Sequence, residues 1–188
     1  SPSGAGKTTL AKRLLQHTDL QLSISVTTRQ PRPKEKDGVD YHFRTIEQFH
    51  RLKETGQFLE SAIVHGNYYG SLKAGVEEGL AQGKDFLFDV DVQGVERIKA
   101  CLGKDVVCVF VLPPSLEALK QRLFLRGQDS SSAVETRLQN AEQEIKAYKM
   151  YDYIVVNDDV EEAAEALKAI YHAETLSTKR GFCLQSHE

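Results

Sequence analysis

Short apolar runs alternate with segments of helical periodicity along most of the chain. The runs at 105–112 and 153–156 are continuous and rich in β-branched residues, as expected of strands that are buried on both faces. Strands that alternate with helices are typical of an α/β fold with a mostly parallel sheet. The pattern predicts strands at 22–26, 58–64, 85–91, 105–112 and 153–156, and helices at 8–17, 46–56, 72–83, 92–103, 115–127 and 160–172, with a further long helix that contains Val134, Leu138 and Ile145.

One part of the chain departs from this regular alternation. The stretch from Arg29 to Arg44 is polar and rich in Pro, Arg, Lys and Asp. The elements around it no longer alternate as they do in the rest of the chain. We therefore predict an insertion over residues 25–71 in a core formed by residues 1–24 and 72–188.

Composition excludes several classes of function. A net charge of −3 gives no basic field, so nucleic acid is not an expected partner. No apolar run approaches the roughly 18 residues of a membrane helix, so we expect a soluble protein without a membrane partner. The three cysteines fit neither a zinc site nor a redox pair, which favours a reducing, cytoplasmic location.

The segment SPSGAGKTT, residues 1–9, contains most of a phosphate-binding loop. In the pattern G-x-x-x-x-G-K-[ST], backbone N–H groups surround phosphate oxygens, the Lys reaches the outer phosphates and the hydroxyl holds Mg²⁺. Gly6, Lys7 and Thr8 fit that pattern, and the helix that follows adds its positive end. Because Ser1 stands at the first glycine position, a glycine-rich helix start with an exposed lysine is the alternative. Such a loop normally follows a strand, which we expect upstream of Ser1.

Three acidic residues are candidates for ligand contacts. Asp89 and Asp91 end the predicted strand 85–91, where open α/β sheets bind ligands and where a P-loop usually has its second carboxylate, near Mg²⁺ or its waters. The alternative is that they only begin a turn. Glu60 interrupts the apolar run FLESAIV. If buried, it needs a partner such as a substrate with adjacent N–H donors, and the alternative is an outward-facing strand residue.

Two groups of arginines are candidates for phosphate contacts. Arg29 and Arg32 lie in a proline-stiffened loop, and the guanidinium fork suits bidentate contacts to phosphate. Arg122, Arg126 and Arg137 form the second group, which suits the charge neutralisation that phosphoryl transfer requires. Taken alone, either group is also consistent with a solvated surface.

Together these motifs resemble those of the guanylate kinases, and the bacterial enzymes are the most similar. The stretches that carry the resemblance, in the family's order, are SPSGAGKTTL, SVTTRQPRP, DGVDYHF, FLESA, GNYYGS, LFDVDVQG, PPSLEALKQRLFLRG, ETRLQNAEQE and YIVVNDD. They cover residues 1 to about 172, and TTR-x-PR and GNYYG with DVDVQG are far more specific than the phosphate loop. The resemblance implies a P-loop NTPase-type parallel sheet flanked by helices, an inserted mixed α/β GMP-binding subdomain at 25–71 and a helical lid at about 123–136.

The resemblance also implies the reaction ATP + GMP ⇌ ADP + GDP, with ATP as co-substrate and Mg²⁺ as cofactor. The implied ATP-binding residues are Ser3, Gly4, Ala5, Gly6, Lys7, Thr8, Thr9 and Asn157. The implied GMP-binding residues are Ser25, Arg29, Arg32, Tyr41, Glu60, Tyr69, Ser71, Asp89 and Asp91. The implied catalytic residues are Lys7, Asp89, Arg122, Arg126 and Arg137, with Thr8 as the Mg²⁺ ligand and Asp89 near the ion or its waters.

A carboxylate at Glu60 suits the choice of guanine. Guanine offers its N1–H and 2-amino group side by side, whereas adenine presents an acceptor at N1 and would leave a buried carboxylate unpaired. The alternatives are another nucleoside monophosphate kinase and a non-catalytic guanylate-kinase-like domain that binds phosphorylated peptides. Gly6, Lys7 and Thr8 argue against the latter. The preference between GMP and dGMP and the oligomeric state stay open.

Overall fold

The structure is a computed structural model that describes residues 1–64, 66–125 and 131–178, with the backbone alone at 131–133. The helices are α1 (Lys7–Gln16), α2 (Ile46–Glu54), α3 (Lys73–Ala81), α4 (Val92–Leu102), α5 (Leu116–Leu125), α6 (Ser131–Lys146) and α7 (Val160–Thr175). The strands are β1 (Gln21–Leu22), β2 (Ser25–Thr27), β3 (His42–Phe43), β4 (Phe58–Val64), β5 (Asn67–Leu72), β6 (Phe86–Leu87), β7 (Val109–Leu112) and β8 (Tyr153–Val156).

The chain forms two compact units. One consists of Ser1–Thr18 together with the chain from Leu102 onward, and the other is Asp19–Cys101. These two units are defined by how the residues pack against one another. The predicted division by function, into a P-loop core and a GMP-binding subdomain at 25–71, is a different partition and stays a prediction.

The first unit contains α1, α5, α6 and α7 with a parallel pair of strands, β7 and β8. The pairing runs from Val109 opposite Tyr153 to Leu112 opposite Val156. A core cluster joins α5 to α6 through buried Leu119, Leu123, Val134 and Ala141. In the part of the chain that the structure describes, no helix is long and apolar enough to cross a membrane.

Polar side chains fix where two of these helices begin. Ser115 Oγ accepts a 3.0 Å hydrogen bond from the Ala118 N–H and so caps the N-terminus of α5. Asp159 Oδ1 accepts from the N–H groups of Glu161 and Glu162 and begins α7. The connection between β8 and α7 is therefore short and well defined.

The second unit is built on a four-stranded sheet in the order β3-β2-β5-β4. β2 and β3 are parallel, while the β2–β5 and β5–β4 pairs are antiparallel. Phe49 of α2 is fully buried and packs on Phe58 and Tyr68, with ring centroids 4.7 Å and 5.3 Å away. A separate parallel pair joins β1 to β6.

The mixed α/β class is confirmed, and each predicted helix is present within a few residues of its expected bounds. The predicted mostly parallel sheet belongs to the core outside residues 25–71, where the two described strand pairs, β1–β6 and β7–β8, are parallel. The four-stranded sheet has two antiparallel pairs out of three and lies almost entirely in the predicted insertion. The predicted strand 22–26 is wrong as a single strand. The Ser23 N–H donates to the carbonyl of Leu87 in β6, whereas Val26 pairs with β5 and β3, so the chain changes partners within that run.

Two predicted strands are shorter in the structure. The strand expected at 85–91 is paired only at Phe86–Leu87, and the strand expected at 105–112 only at Val109–Leu112. Asp91 already serves as the start of α4, because its Oδ1 accepts from the Gly94 N–H at 2.8 Å. A 3-10 helix at Gly103–Asp105 delays the start of β7.

Candidate functional site

The phosphate loop of the first unit takes its shape from two glycines. Gly4 and Gly6 have φ angles of 97° and 95°, a conformation that residues with a Cβ rarely adopt. Between them, Ala5 is fully buried. The Gly6 carbonyl accepts a 3.1 Å hydrogen bond from the Leu10 N–H and begins α1. The loop therefore ends at the N-terminus of a helix, a position that favours bound anions.

Both glycines are needed for packing as well as for conformation. A Cβ on Gly4 would stand 2.9 Å from Cδ2 of Leu123, and one on Gly6 would collide with Nδ2 of Asn157. That amide nitrogen donates a 2.7 Å hydrogen bond to the Ala5 carbonyl. The loop is thus closely packed against α5 and against the residue that follows β8.

A cavity of about 370 Å³ opens beside this loop. Its lining includes Gly4, Gly6, Thr9, Arg122 and Asn157. The Arg122 guanidinium donates to the Asn157 carbonyl at 2.8 Å. The structure therefore brings together Arg122 and Asn157, two residues far apart in the chain, with the glycines of the phosphate loop.

Most of the remaining residues predicted for ATP binding and catalysis lie at the start of α1 or just before it. Lys7 and Thr8 are the first residues of α1, with Lys7 half-buried and Thr8 exposed, and Ser3 is half-buried just before the loop glycines. Arg137 is a half-buried residue of α6. The prediction for Arg126 lies outside the described residues.

No group of three or more His, Cys, Asp or Glu side chains in the described residues is placed to hold a metal ion. Mg²⁺ in phosphoryl-transfer sites typically keeps several waters and binds through substrate phosphates with one or two protein oxygens. Thr8 is an exposed residue at the helix N-terminus, and its hydroxyl is a donor of the kind that such a sparse set uses.

The second unit places a carboxylate beside a hydroxyl in its buried sheet. Ser71 on β5 pairs with Glu60 on one side and with Ser25 of β2 on the other. The three residues are buried, with Glu60 5% and Ser71 0% exposed. Because directly opposed residues share a face of a sheet, three polar side chains stand in a row across three strands. Glu60 is therefore buried, so the outward-facing alternative is wrong, while a substrate as its partner stays a prediction.

The environment of Glu60 perturbs its ionisation. Burial raises the pKa of its carboxyl, the hydrogen bond from Ser71 opposes that rise, and the negative charge of Asp91 adds to it. A carboxylate in this position is costly until further donors reach it. The pair is therefore suited to bind a ligand that presents N–H groups.

Asp89 and Asp91 are both half-buried after β6. The side chain of Asp91 accepts a hydrogen bond from the Gly94 N–H, so this residue caps the start of α4. The pKa of Tyr41 is raised to about 12, chiefly by burial and further by the negative charge of Asp89. Asp89 therefore acts electrostatically on a residue that was predicted for the same site.

Arg29 is held on several sides. Its Nε donates to the Tyr69 hydroxyl at 3.3 Å, and its guanidinium lies 5.4 Å from the ring centroid of Tyr41. One terminal nitrogen donates to both carboxylate oxygens of Glu35, at 2.9 Å and 3.0 Å. The structure thus brings together Arg29, Tyr41 and Tyr69, three of the residues predicted to bind GMP.

Glu35 is a candidate that sequence reasoning missed. Its carboxylate also accepts the Arg32 N–H at 2.8 Å and stands 3.8 Å from the Arg32 guanidinium. It therefore links the two arginines of the TTRQPRP motif. The only signal in the sequence is a single acidic residue three positions after Arg32 in a basic loop, a pattern that usually indicates a solvated surface.

The family model for guanylate kinase matches residues 1–174. The chain belongs to the guanylate kinase family. A guanylate kinase of Brucella melitensis biotype 1 is 50% identical over 182 residues, which cover 96% of this chain and 83% of that protein. A guanylate kinase of Bartonella henselae is 45% identical over 185 residues, which cover 98% of this chain and 83% of that protein.

A solved member of the guanylate kinase family has the same overall fold. The crystal structure of guanylate kinase from Anaplasma phagocytophilum superposes with a TM-score of 0.80 at 36% sequence identity, and the match covers 94% of this chain and 85% of that one. The likeness extends well beyond the phosphate loop, so the family assignment does not depend on that short motif.

Proposed function

We propose that this chain is a guanylate kinase that transfers the γ-phosphoryl group of ATP to GMP and releases ADP and GDP. The observation that carries the proposal is the buried Glu60, whose Oε1 accepts a 2.8 Å hydrogen bond from Ser71 Oγ. The same unit contains Arg29, which contacts the side chains of Tyr69 and Tyr41. Membership of the family, and relatives named guanylate kinase, support it.

The guanine base is the ligand that the Glu60 carboxylate suits best. Ser71 Oγ already donates to Oε1, and a carboxylate has further acceptor positions on both oxygens. The N1–H and 2-amino groups of guanine would supply the missing donors. Adenine lacks that pair of donors, so its binding would leave a buried charge without compensation. We also assign Asp91 to the guanine site, beside Glu60 and Ser71.

The phosphate of GMP would bind beside the base. Arg29 and Arg32 supply the positive charge, and the hydroxyls of Ser25, Tyr41 and Tyr69 supply donors. Tyr41 is a neutral phenol at physiological pH, as an ordinary tyrosine is, and a pKa raised to about 12 keeps it neutral further into the alkaline range. A neutral hydroxyl can donate to a phosphate oxygen, so this ionisation state suits the role.

ATP would bind through the phosphate loop of the first unit. The loop from Ser3 to Gly6 and the N–H groups at the start of α1 would surround its phosphates, while Lys7 would reach the outer phosphates and Thr9 lies beside the cavity. Thr8 would ligate Mg²⁺, with Asp89 near the ion or its waters. When bound, Mg²⁺ supplies charge neutralisation on the phosphate oxygens.

The transfer itself requires no nucleophilic side chain, because the acceptor is a phosphate oxygen of GMP. The chain's contribution is to align the two substrates and to neutralise charge spread over the transferred group. We assign that second role to Lys7, Arg122, Arg126 and Arg137, with segment 123–136 as a lid that keeps water from the phosphates. The cytoplasmic location expected from the sequence stays a prediction.

A coupled assay of ADP release with a panel of acceptors tests this proposal. We expect turnover with GMP at a kcat/KM at least about 10²-fold above that with AMP, UMP or dTMP. A preference for another monophosphate would favour a different nucleoside monophosphate kinase. No turnover with any acceptor, combined with binding of phosphorylated peptides, would favour a non-catalytic interaction domain. Adding dGMP to the panel resolves the preference for the sugar.

A further inference from the structure

The side chain of Asn157 is part of the packing of the phosphate loop. Its Nδ2 donates to the Ala5 carbonyl at 2.7 Å, and the residue is only 4% exposed. The hydrogen bond spans 152 positions of the chain. A Cβ on Gly6 would collide with the same nitrogen, so the glycine at that position is what permits the approach.

The backbone of Asn157 is held on both sides. Its N–H donates to the Leu112 carbonyl at 2.7 Å and extends the pairing of β8 with β7. Its carbonyl accepts from Arg122 of α5 at 2.8 Å. The backbone of Asn157 is therefore held in place, so its side-chain amide can fix the position of the Ala5 carbonyl.

The peptide bond between Ala5 and Gly6 needs such a partner. Gly4 and Gly6 both have positive φ angles. Because glycine adopts positive and negative φ angles about equally readily, the local sequence does little to fix the orientation of this peptide. A trans peptide directs its carbonyl and its N–H to opposite sides. A donor fixed on the Ala5 carbonyl therefore also turns the Gly6 N–H away from Asn157.

The orientation of this peptide matters for an anionic ligand. With the carbonyl bonded to Asn157, the peptide presents a donor on its other side. With the peptide turned over, the carbonyl oxygen would face a phosphate and repel it. One hydrogen bond thus decides whether this peptide attracts or repels a phosphate oxygen.

We propose that Asn157 is a positioning residue for the triphosphate of the nucleotide. It acts through the Ala5–Gly6 peptide, and its effect falls on the phosphates and not on the adenine that the family resemblance assigns to it. The proposal rests on the proposed function only in that the loop binds a nucleoside triphosphate. It does not depend on which acceptor is phosphorylated.

Calorimetric titration of Asn157→Ala with two ligands, in the presence of Mg²⁺, tests this role. The ligands are ATP and inorganic tripolyphosphate, which has the phosphates but no base. We expect both affinities to fall about tenfold, the effect of one lost buried hydrogen bond. A loss for ATP with unchanged tripolyphosphate binding would show a contact to adenine and would overturn the proposal, as would unchanged binding of both ligands.

Two further variants keep the test decisive. Asn157→Asp preserves the shape but replaces the donor with a carboxylate facing the Ala5 carbonyl, so it should weaken both ligands at least as much. Asn140→Ala removes the same side chain from an exposed site on α6 and should leave both affinities at wild-type values. If Asn157→Ala does not fold, as judged by thermal melting, the affinities of Asn157→Asp for ATP and tripolyphosphate test the proposal instead, and the same results support or overturn it. If wild type binds ATP and tripolyphosphate but phosphorylates no GMP, the proposed function fails while this inference stands.

Discussion

Ser71 Oγ donates a 2.8 Å hydrogen bond to Oε1 of Glu60 across two neighbouring strands, and both residues are buried. The hydroxyl and the backbone of Ser71 satisfy only part of the Glu60 carboxylate, because a carboxylate has about four acceptor positions. The pair is therefore a buried anion with incomplete compensation, as its raised pKa indicates. A ligand with two adjacent donors would complete it.

Glu60→Gln should remove the preference for GMP. The amide presents one acceptor and one donor group where guanine has two donors, so a repulsive contact replaces a charged hydrogen bond. We expect KM for GMP to rise roughly 10²-fold or more, with a smaller change in kcat, measured by steady-state kinetics. Glu54→Gln makes the same change on the exposed end of α2 and serves as the control. An unchanged KM would remove Glu60 from the guanine site.

Glu60→Gln should also stabilise the ligand-free protein at neutral pH. Because burial raises the pKa of Glu60, the folded state binds this proton more tightly than the unfolded chain. The wild-type free energy of unfolding therefore falls as pH rises from the ordinary pKa of Glu through the raised value. Gln does not titrate, so the melting temperature of the variant should exceed that of wild type at pH 8 and approach it below about pH 4. Equal differences at both pH values would contradict this account.

The burial of Glu60 next to Leu59 could not be predicted from the sequence. Strict alternation places consecutive residues on opposite faces, so Leu59 and Glu60 could not both be assigned to the core from the pattern. In the structure both are buried, because the register of β4 against β5 shifts between Phe58 and Glu60. Such an irregularity depends on the partner strand and leaves no mark on the local periodicity.

Helices were predicted better than strands for a related reason. Their signals are local, as with the Ser115 cap of α5 and the apolar face of α1. Strand limits depend on a partner that is distant in sequence, which is why the run at 22–26 divides between two sheets. Glu35 was missed in the same way, since its bonds to Arg29 and Arg32 follow from the folded loop.

Lys7→Ala should remove nearly all turnover and leave GMP binding largely intact. Lys7 begins α1 in the first unit, whereas Glu60 and Arg29 belong to the second. We expect kcat to fall roughly 10²- to 10³-fold, measured by ADP release, with GMP affinity from calorimetry within about twofold of wild type. Lys120→Ala, at an exposed site on α5, is the matched control. Unchanged activity in Lys7→Ala would exclude the phosphate loop from the mechanism.

Glu35→Gln should weaken the binding of the GMP phosphate. The carboxylate bonds the Arg29 guanidinium and the Arg32 N–H, so it holds two like charges close together in one loop. Its loss removes charged hydrogen bonds and lets the arginines separate. We expect KM for GMP to rise about tenfold with little change in kcat.

Guanosine, which has the base but no phosphate, makes the Glu35 experiment specific. If Glu35 acts on the phosphate arginines, the variant should bind guanosine as wild type does in a calorimetric titration, while its affinity for GMP falls. Glu54→Gln should change neither ligand. A lower KM for GMP in Glu35→Gln would show that the carboxylate competes with the phosphate for Arg29, which is the opposite of a supporting role. Equal losses for guanosine and GMP would instead indicate general damage to the second unit, and Glu35 would then have no specific part in phosphate binding.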